Sequence, residues 1–558
     1  MRTEKISVTG GFPEHAALLR ERIAERLPAV VFTDRTDTDA LNIRLTVSGA
    51  VSEKAESFRI TGTDGAWEIS AADERGLYFG IGKFLHTAVW TEDALFPTPT
   101  DGIIAPHGSF RALYCAMHLY NYYYNAPTDV IARYIDDLLL WGYNSVVSVL
   151  PIVNVKDLDD PEYVRSVGRA REIFSHVRKR GMRTGLLLCV NQVPLDAPHG
   201  FDNEPPVNLT FRGNHGHNYC VSKPGALDAL RGLWLAQLGA FSDIGVDCIV
   251  TWPYDEGGCG CENCRPWGAK GYPRTCRAMY EAAKTLYPDI RMILSTWVFD
   301  VPVDEGEYEG LFSLLGGDLS FTDSLMIDAH REYPAYPLAH PPVKPVVNFP
   351  EISMCGLYPW GGFGASALPE RFKRIWNDGR KIVTGGMPYT EGIYEDIIKI
   401  QFSGYYWDPD RPYEDTFREY IGYEFSPDVY ADVMEIIHCI ELNHTRIAER
   451  KQPDFEAAHR ARRLAEAADA KLSAHAKTSW RWRILYIRAL LDDKRYSALE
   501  SSPCDLGWFS GHSADLLIDD PEAQDCFREL RRYYYSSDYN GKNSWTLPPL
   551  GGTTTSTY

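Results

Sequence analysis

A chain of 558 residues is too long for one compact core, and its 44% apolar content is enough to build two or three. A formal net charge of −19 repels phosphate backbones, which excludes nucleic acid as a partner and argues against strongly anionic polymer substrates. No run approaches the roughly 18 apolar residues of a membrane helix. The opening MRTEKISVTGG, with its leading Met, has no apolar signal core, so a cytoplasmic location off the membrane is expected.

Residues 1–107 read as a small α/β domain. LNIRLTVSG (41–49) has strand character, and SFRITGTDGAWEISA (57–71) reads as a hairpin turning at Asp64-Gly65. RGLYFGIGKFLHTAVW (75–90) reads as a helix whose apolar face carries Leu77, Ile81, Phe84 and Leu85. The Pro/Gly-rich 93–108 reads as a linker.

From Phe110 apolar runs of strand length alternate with helix patterns. The expected strands lie at 111–120, 144–151, 184–192, 247–256 and 290–300, then, with a looser rhythm, at 324–330, 344–352 and 380–392. Helix patterns at 129–142, 162–181, 224–245, 273–287 and 367–378 separate them, several stopped by glycine. This alternation predicts a (β/α)8 barrel over 108–407. A doubly wound sheet is the alternative, but no G-x-G-x-x-G turn follows the first strand. Beyond 408 the patterns are helical, as in FEAAHRARRLAEAADAKLSAHA (455–476), giving a helical C-terminal region over 408–558 with an irregular tail at 533–558.

In such a barrel the reacting groups sit at the C-terminal strand ends, where the loops converge. The fourth strand ends in Asp255-Glu256, followed by Gly257, Gly258 and Gly260. Like charges at short range raise one of the two pKa values, which suits a general acid at neutral pH. A glycine-flanked acidic turn and metal ligation are the other readings of the pair. Aromatic residues make up 13% of the chain, with 33 Tyr and 14 Trp, and such rings offer flat faces to sugar C–H groups. Trp252, Trp297 and Trp360 are the candidate platforms, and His118, after strand one, is a candidate for a sugar hydroxyl. His215 and His217 lie in the long loop 193–223, where histidines are usually just solvated.

A strand-end Asp-Glu resembles the catalytic pair of family 20 glycoside hydrolases, the β-N-acetylhexosaminidases. The resemblance implies that Asp255 orients the substrate's 2-acetamido group while Glu256 protonates the leaving oxygen, the acetamido oxygen being the nucleophile. It also implies that Arg111, in GSFRALY, binds sugar hydroxyls. Tyr389 would bond the acetamido oxygen, and Glu391 would hold O4 and O6 of a terminal sugar. Family 20 reads His-x-Gly-Gly-Asp-Glu where this chain has Thr251-Trp252-Pro253-Tyr254-Asp255-Glu256, which points to a divergent sister family and adds Tyr254 to the substrate-binding candidates. YYWDPDRPYEDTFREYIGYEF (405–425) resembles the Trp-Asp-Pro helix entry of family 163 endo-acting enzymes and α-glucuronidases.

The expected function is therefore an exo-acting, retaining hexosaminidase on terminal β-GlcNAc or β-GalNAc. The alternatives are an α-glucuronidase-like or endo-acting glycosidase, with Glu391 or Glu351 as a distant base, and an inactive carbohydrate-binding protein. Catalysis needs no cofactor. The chain has 12 Cys, most of them single residues in apolar runs, such as Cys115, Cys189, Cys248 and Cys439. Cys259, Cys261 and Cys264 differ by their close spacing, and with Cys276 they are the expected ligands of a structural zinc; free thiols and a disulfide are the other readings. The expected partner is a carbohydrate, and the sequence is compatible with a monomer or a homo-oligomer.

Overall fold

The computed structural model describes residues 3–63, 65–117, 121–150, 152–153, 155–204, 216–253, 257–300, 305–330, 332–353, 365–533 and 535. The N-terminal part is a five-stranded sheet built from β1 (Lys5–Thr9), β2 (Val31–Thr33), β3 (Leu41–Val47), β4 (Phe58–Thr63) and β5 (Ala66–Ala71), in the order β2-β1-β3-β5-β4. Only β4 and β5 are antiparallel, paired tightly at Thr63↔Ala66 across the expected hairpin. The helix Glu74–Thr87 starts where Asp73 accepts the Gly76 amide at 2.8 Å, and it buries Leu77, Ile81, Phe84 and Leu85. A short ribbon of β6 (Val89–Trp90) and β7 (Leu95–Phe96) follows.

The central body is a closed eight-stranded barrel. Its strands are β8 (Phe110–Cys115), β9 (Ser145–Val149), β10 (Arg183–Cys189), β13 (Cys248–Trp252), β14 (Arg291–Ser295), β15 (Thr322–Ala329), β16 (Val346–Pro350) and β17 (Val383–Gly386). The intervening β11 (Gln192–Val193) and β12 (His217–Asn218) form a two-stranded ribbon outside the ring. Every pair in the ring is parallel, and strands packed on both faces read as unbroken apolar runs. Val147, Leu186, Ile249, Val250, Leu294 and Ile327 are accordingly buried. The ring closes where Gly385 pairs with Phe110 and Gly386 with Arg111. A Cβ at Gly385 would strike the Phe110 carbonyl, and one at Gly386 would strike Tyr406 and Asn348, so the seam needs residues without side chains.

Helices cover the barrel, and the described chain after β17 contains helices but no further strand. This C-terminal region docks through Arg481, a buried guanidinium 2.9 Å from Asp396, 3.1 Å from Asp137 and 3.6 Å from Glu424. Two of these partners lie on barrel helices, so one cation ties the three carboxylates together.

At the base of the barrel a second buried cation joins the N-terminal sheet to the strand ends. Arg111 is fully buried at the start of β8. Its Nε donates to the Gly142 carbonyl (2.6 Å), Nη1 to Gly108 (2.6 Å) and Nη2 to Glu56 (2.7 Å). Trp407 and Phe79 flank its guanidinium, 4.8 and 5.1 Å from its carbon. Asn144 completes the knot by donating to Glu56 at 3.0 Å and accepting the Arg111 amide at 3.0 Å.

Burial by itself would raise the Glu56 carboxyl, but Arg111, Arg75 and Arg183 more than offset it and hold it below the ordinary range. Its contribution to stability is therefore present above the unfolded carboxyl value of about 4.3 and lost as pH falls through the lower folded value. Glu56→Gln leaves Arg111 buried without its counter-charge. Urea unfolding at pH 7 is expected to show a loss of about 3–5 kcal/mol, with a flatter stability curve than wild type below about pH 4.

Candidate active site

The parallel ring places the C-terminal ends of all eight strands on one rim. Asp255, Glu256 and Tyr254 lie outside the described residues, as do His118, Trp360 and His215. The residues flanking the pair are held firmly. Pro253, one residue past β13, accepts the Trp267 indole N–H at 2.8 Å. On the other side, the Gly258 amide donates to Asn191 Oδ1 at 2.9 Å, and its carbonyl accepts Asn191 Nδ2 at 3.0 Å and Asn203 Nδ2 at 2.9 Å. Asn191 follows β10, so the neighbouring strand end grips the glycine loop from both of its polar atoms. Gly258, at φ 108°, meets the turn without the strain a side chain would bring.

Around the mouth the aromatic residues touch. Trp252 at the end of β13 and Trp297 after β14 stack with ring centroids 4.6 Å apart. Phe349 of β16 packs edgewise on both, and on Tyr114 of β8 and Tyr389 after β17. The residue after Trp297, Val298, holds φ at 64°, a costly conformation for a β-branched side chain and the kind of strain that collects at functional rims. The Trp297 indole N–H is buried and has no partner among the described residues.

Polar groups converge beside this aromatic cluster. His330, just past β15, lies between two buried carboxylates: Nε2 is 3.0 Å from Asp328 and Nδ1 is 3.0 Å from Glu351. Oε2 of Glu351 has no partner among the described residues, nor does Asp328 beyond its approach to His330. Tyr389 donates its hydroxyl to Glu391 at 3.0 Å. The backbone beside Glu391 is braced from behind, because the Gly392 carbonyl accepts Tyr123 Oη at 2.8 Å and also the Lys399 ammonium. Lys399 is buried, which brings its pKa down to about 8.

Burial pushes the Glu391 carboxyl well above the ordinary range. The bond from Tyr389 pulls the other way, and the charges of Glu395 and Glu351 add to the push. Glu391 is thus pushed toward its neutral form, beside Asp328, His330 and Glu351.

Of the sequence candidates, the structure brings Trp252, Trp297, Tyr389 and Glu391 to the rim. Arg111 is a correction: it starts β8 at the opposite end of the barrel, and its three donor nitrogens are committed to Glu56, Gly108 and Gly142, so it is not available to a sugar. Cys276 is a second correction. Cys259, Cys261 and Cys264 cluster with Cys220, while the helix Gly271–Ala283 turns Cys276 inward against Thr251 and Tyr272, where burial raises its thiol to about 12.

Sequence reasoning missed Asp328, His330 and Asn191. The signal was present in Ile327-Asp328-Ala329-His330, where polar residues end an apolar strand run. Two mixed groups could also offer metal ligands, Asp300-Asp328-His330 and His199-Asp202-His217. In both groups the imidazoles lie at hydrogen-bond distance from carboxylates, His330 from Asp328 and Glu351, and His199 and His217 from Asp202.

No protein-family model matches the sequence, and no curated protein sequence matches it either. The fold, however, is shared with solved glycoside hydrolases. A GH138 enzyme targeting pectin rhamnogalacturonan II aligns over 99% of this chain and 77% of its own, with a TM-score of 0.59 at 11% identity. A GH115 4-O-methyl-α-glucuronidase with specificity for decorated arabinogalactans aligns over 100% and 81%, with a TM-score of 0.60 at 12% identity. A family 89 enzyme from Clostridium perfringens, solved with its substrate GlcNAc-α-1,4-galactose, aligns over 93% and 65%, with a TM-score of 0.62 at 11% identity. At these identities the likeness establishes the barrel architecture. Among the described residues, no helix is long and apolar enough to cross a membrane.

The upward push on the Glu391 carboxyl has a measurable consequence. A group whose folded pKa is raised stabilises most below its unfolded value and loses that contribution as pH rises through the folded value. Glu391→Gln mimics the neutral acid, so at pH 5 it should change stability by less than about 1 kcal/mol. Thermal unfolding from pH 5 to 9 is expected to show wild type losing ground relative to the variant as pH rises. Parallel curves would mean that Glu391 is ionised throughout.

Proposed function

We propose that this protein is a glycoside hydrolase whose substrate sits at the C-terminal rim of the barrel. In the more specific reading it is an exo-acting, retaining β-N-acetylhexosaminidase. The observation that carries the proposal is the convergence at one barrel mouth of a stacked indole pair, Trp252 and Trp297, with the buried carboxyls of Asp328, Glu351 and Glu391. Sugars present C–H faces to rings and hydroxyls to carboxyls, and this mouth offers both. The architectural likeness to glycosidases of several families supports the same class.

In this reading Glu256 donates a proton to the glycosidic oxygen as the bond to C1 breaks. The substrate's acetamido oxygen attacks C1, while Asp255 accepts the acetamido N–H and holds it in line. Water then opens the cyclic intermediate, returning a proton to Glu256 and releasing the sugar with its configuration retained. An internal nucleophile removes the need for a second carboxylate at glycosidase spacing. Glu391 would meet the outer hydroxyls of a terminal sugar, with Tyr389 near the acetamido group. Trp360 and Tyr254 remain candidates for the sugar face, and His118 for a hydroxyl.

A second reading has its own observation. The Asp328-His330-Glu351 trio could activate water without acetamido participation, as an α-glucuronidase-like or endo-acting enzyme would require. Aryl β-GlcNAc, β-GalNAc and α-glucuronide substrates separate the two, each assayed with and without a thiazoline inhibitor. The first reading expects thiazoline-sensitive release from an acetamido sugar, with Asp255→Asn and Glu256→Gln each lowering kcat by roughly 10²–10⁴-fold. Glucuronide cleavage alone would sink it in favour of the second. Binding without any turnover would point to a carbohydrate-binding protein.

A further inference from the structure

Behind the rim lies a cluster that the glycosidase reading does not use. Cys220, two residues past β12, meets Cys259, Cys261 and Cys264 from the loop after β13. All four residues are buried, and their sulfurs lie within 4.8 Å of one another. Cys220 and Cys261 approach to 3.5 Å, and the Ser222 hydroxyl lies 3.0 and 3.4 Å from these two sulfurs.

Two disulfides would pair sulfurs at about 2.05 Å and would not require four to gather around a common point. A tetrahedral ion with metal–sulfur bonds of about 2.3 Å would, because its S···S edges are then about 3.8 Å. The backbone is shaped to the same end. Within Cys261-x-x-Cys264 the carbonyl of Cys261 accepts the amides of Cys264 and Arg265, both at 3.0 Å, closing a tight turn that brings its two sulfurs together. Gly260, between Cys259 and Cys261, donates its amide to the Glu204 carbonyl at 2.6 Å, and the Cys220 amide donates to Phe201 at 2.7 Å.

We infer that Cys220, Cys259, Cys261 and Cys264 form a structural site for a thiophilic divalent ion, zinc. Four protein thiolates complete the tetrahedron and leave no open position, so the ion takes no part in bond chemistry. It clamps the segment after β12 to the loop after β13, from separations of 39 to 44 residues along the chain. Cys259 stands three residues beyond Glu256, so the clamp also anchors the loop that leaves the carboxylate pair. The site itself does not depend on the glycosidase reading, and its test needs no substrate.

The intact chain, purified under reducing conditions from zinc-replete cells, should carry one zinc per chain by elemental analysis. X-ray absorption at the zinc edge should show four sulfur neighbours at about 2.3 Å. Cys220→Ser should bind zinc substoichiometrically, whereas Cys276→Ser should keep the full complement. Metal-free protein with all four thiols reactive would overturn the inference, as would an intact mass short by the hydrogens of one or two disulfides. Full zinc in Cys220→Ser with loss in Cys276→Ser would overturn the choice of ligands. Should Cys220→Ser fail to fold, the sulfur count on wild-type protein and zinc release on mercurial titration decide the matter: nitrogen or oxygen neighbours, or no release, would contradict the site.

Discussion

Parallel pairing around a closed ring is the constraint on which the rest of this structure depends. Because every neighbouring pair in the closed ring is parallel, all eight C-terminal ends open on one rim. Closure is a local matter of two glycines: the missing side chain of Gly385 makes room for the Phe110 backbone, and that of Gly386 for Tyr406 and Asn348. Its consequence is global. Residues more than 250 positions apart, such as Tyr114 and Tyr389, come within 5.4 Å at the mouth.

The two ends of the ring use charge in opposite ways. At the base, each nitrogen of the Arg111 guanidinium has a partner, and the arginines around Glu56 hold its carboxyl below the ordinary range. Such a matched pair fixes geometry and has nothing left for a ligand. At the rim, Glu391 is driven toward its neutral form by burial, and Asp328 and Glu351 keep carboxylate oxygens that no described side chain fills. Rigid support stands behind this incompletely satisfied face: Lys399 and Tyr123 hold the Gly392 carbonyl, and Asn191 holds Gly258. A firm scaffold with unmet polar groups is the arrangement expected where a ligand completes the hydrogen bonding.

The barrel was legible because buried parallel strands leave continuous apolar runs, and each of the eight runs read from the sequence overlaps a barrel strand. Short elements with mixed polarity escaped the reading, among them β1, β2 and the helix Pro13–Arg26, whose places depend on packing rather than pattern. At the site, strand-end position found Trp252, Trp297, Tyr389 and Glu391. Arg111 came from the family resemblance instead, and a residue at the start of a strand faces the base of the barrel, away from the rim. Cys276 fell within plausible ligand spacing of Cys264, yet Cys220, 39 residues before Cys259, is the thiol that folding brings in. Spacing along the chain cannot reveal a partner delivered by another loop.

The central proposal is that Glu256 transfers the proton and that the substrate's own acetamido group makes the reaction retaining. Proton NMR of the first product formed from an aryl β-N-acetylhexosaminide tests it most directly. The account predicts that the β-anomer appears first and mutarotates later, and that Glu256→Gln abolishes this signal for a poor leaving group while Arg111, at the far end of the barrel, contacts no substrate. Initial appearance of the α-anomer, or undiminished release by Glu256→Gln, would contradict it.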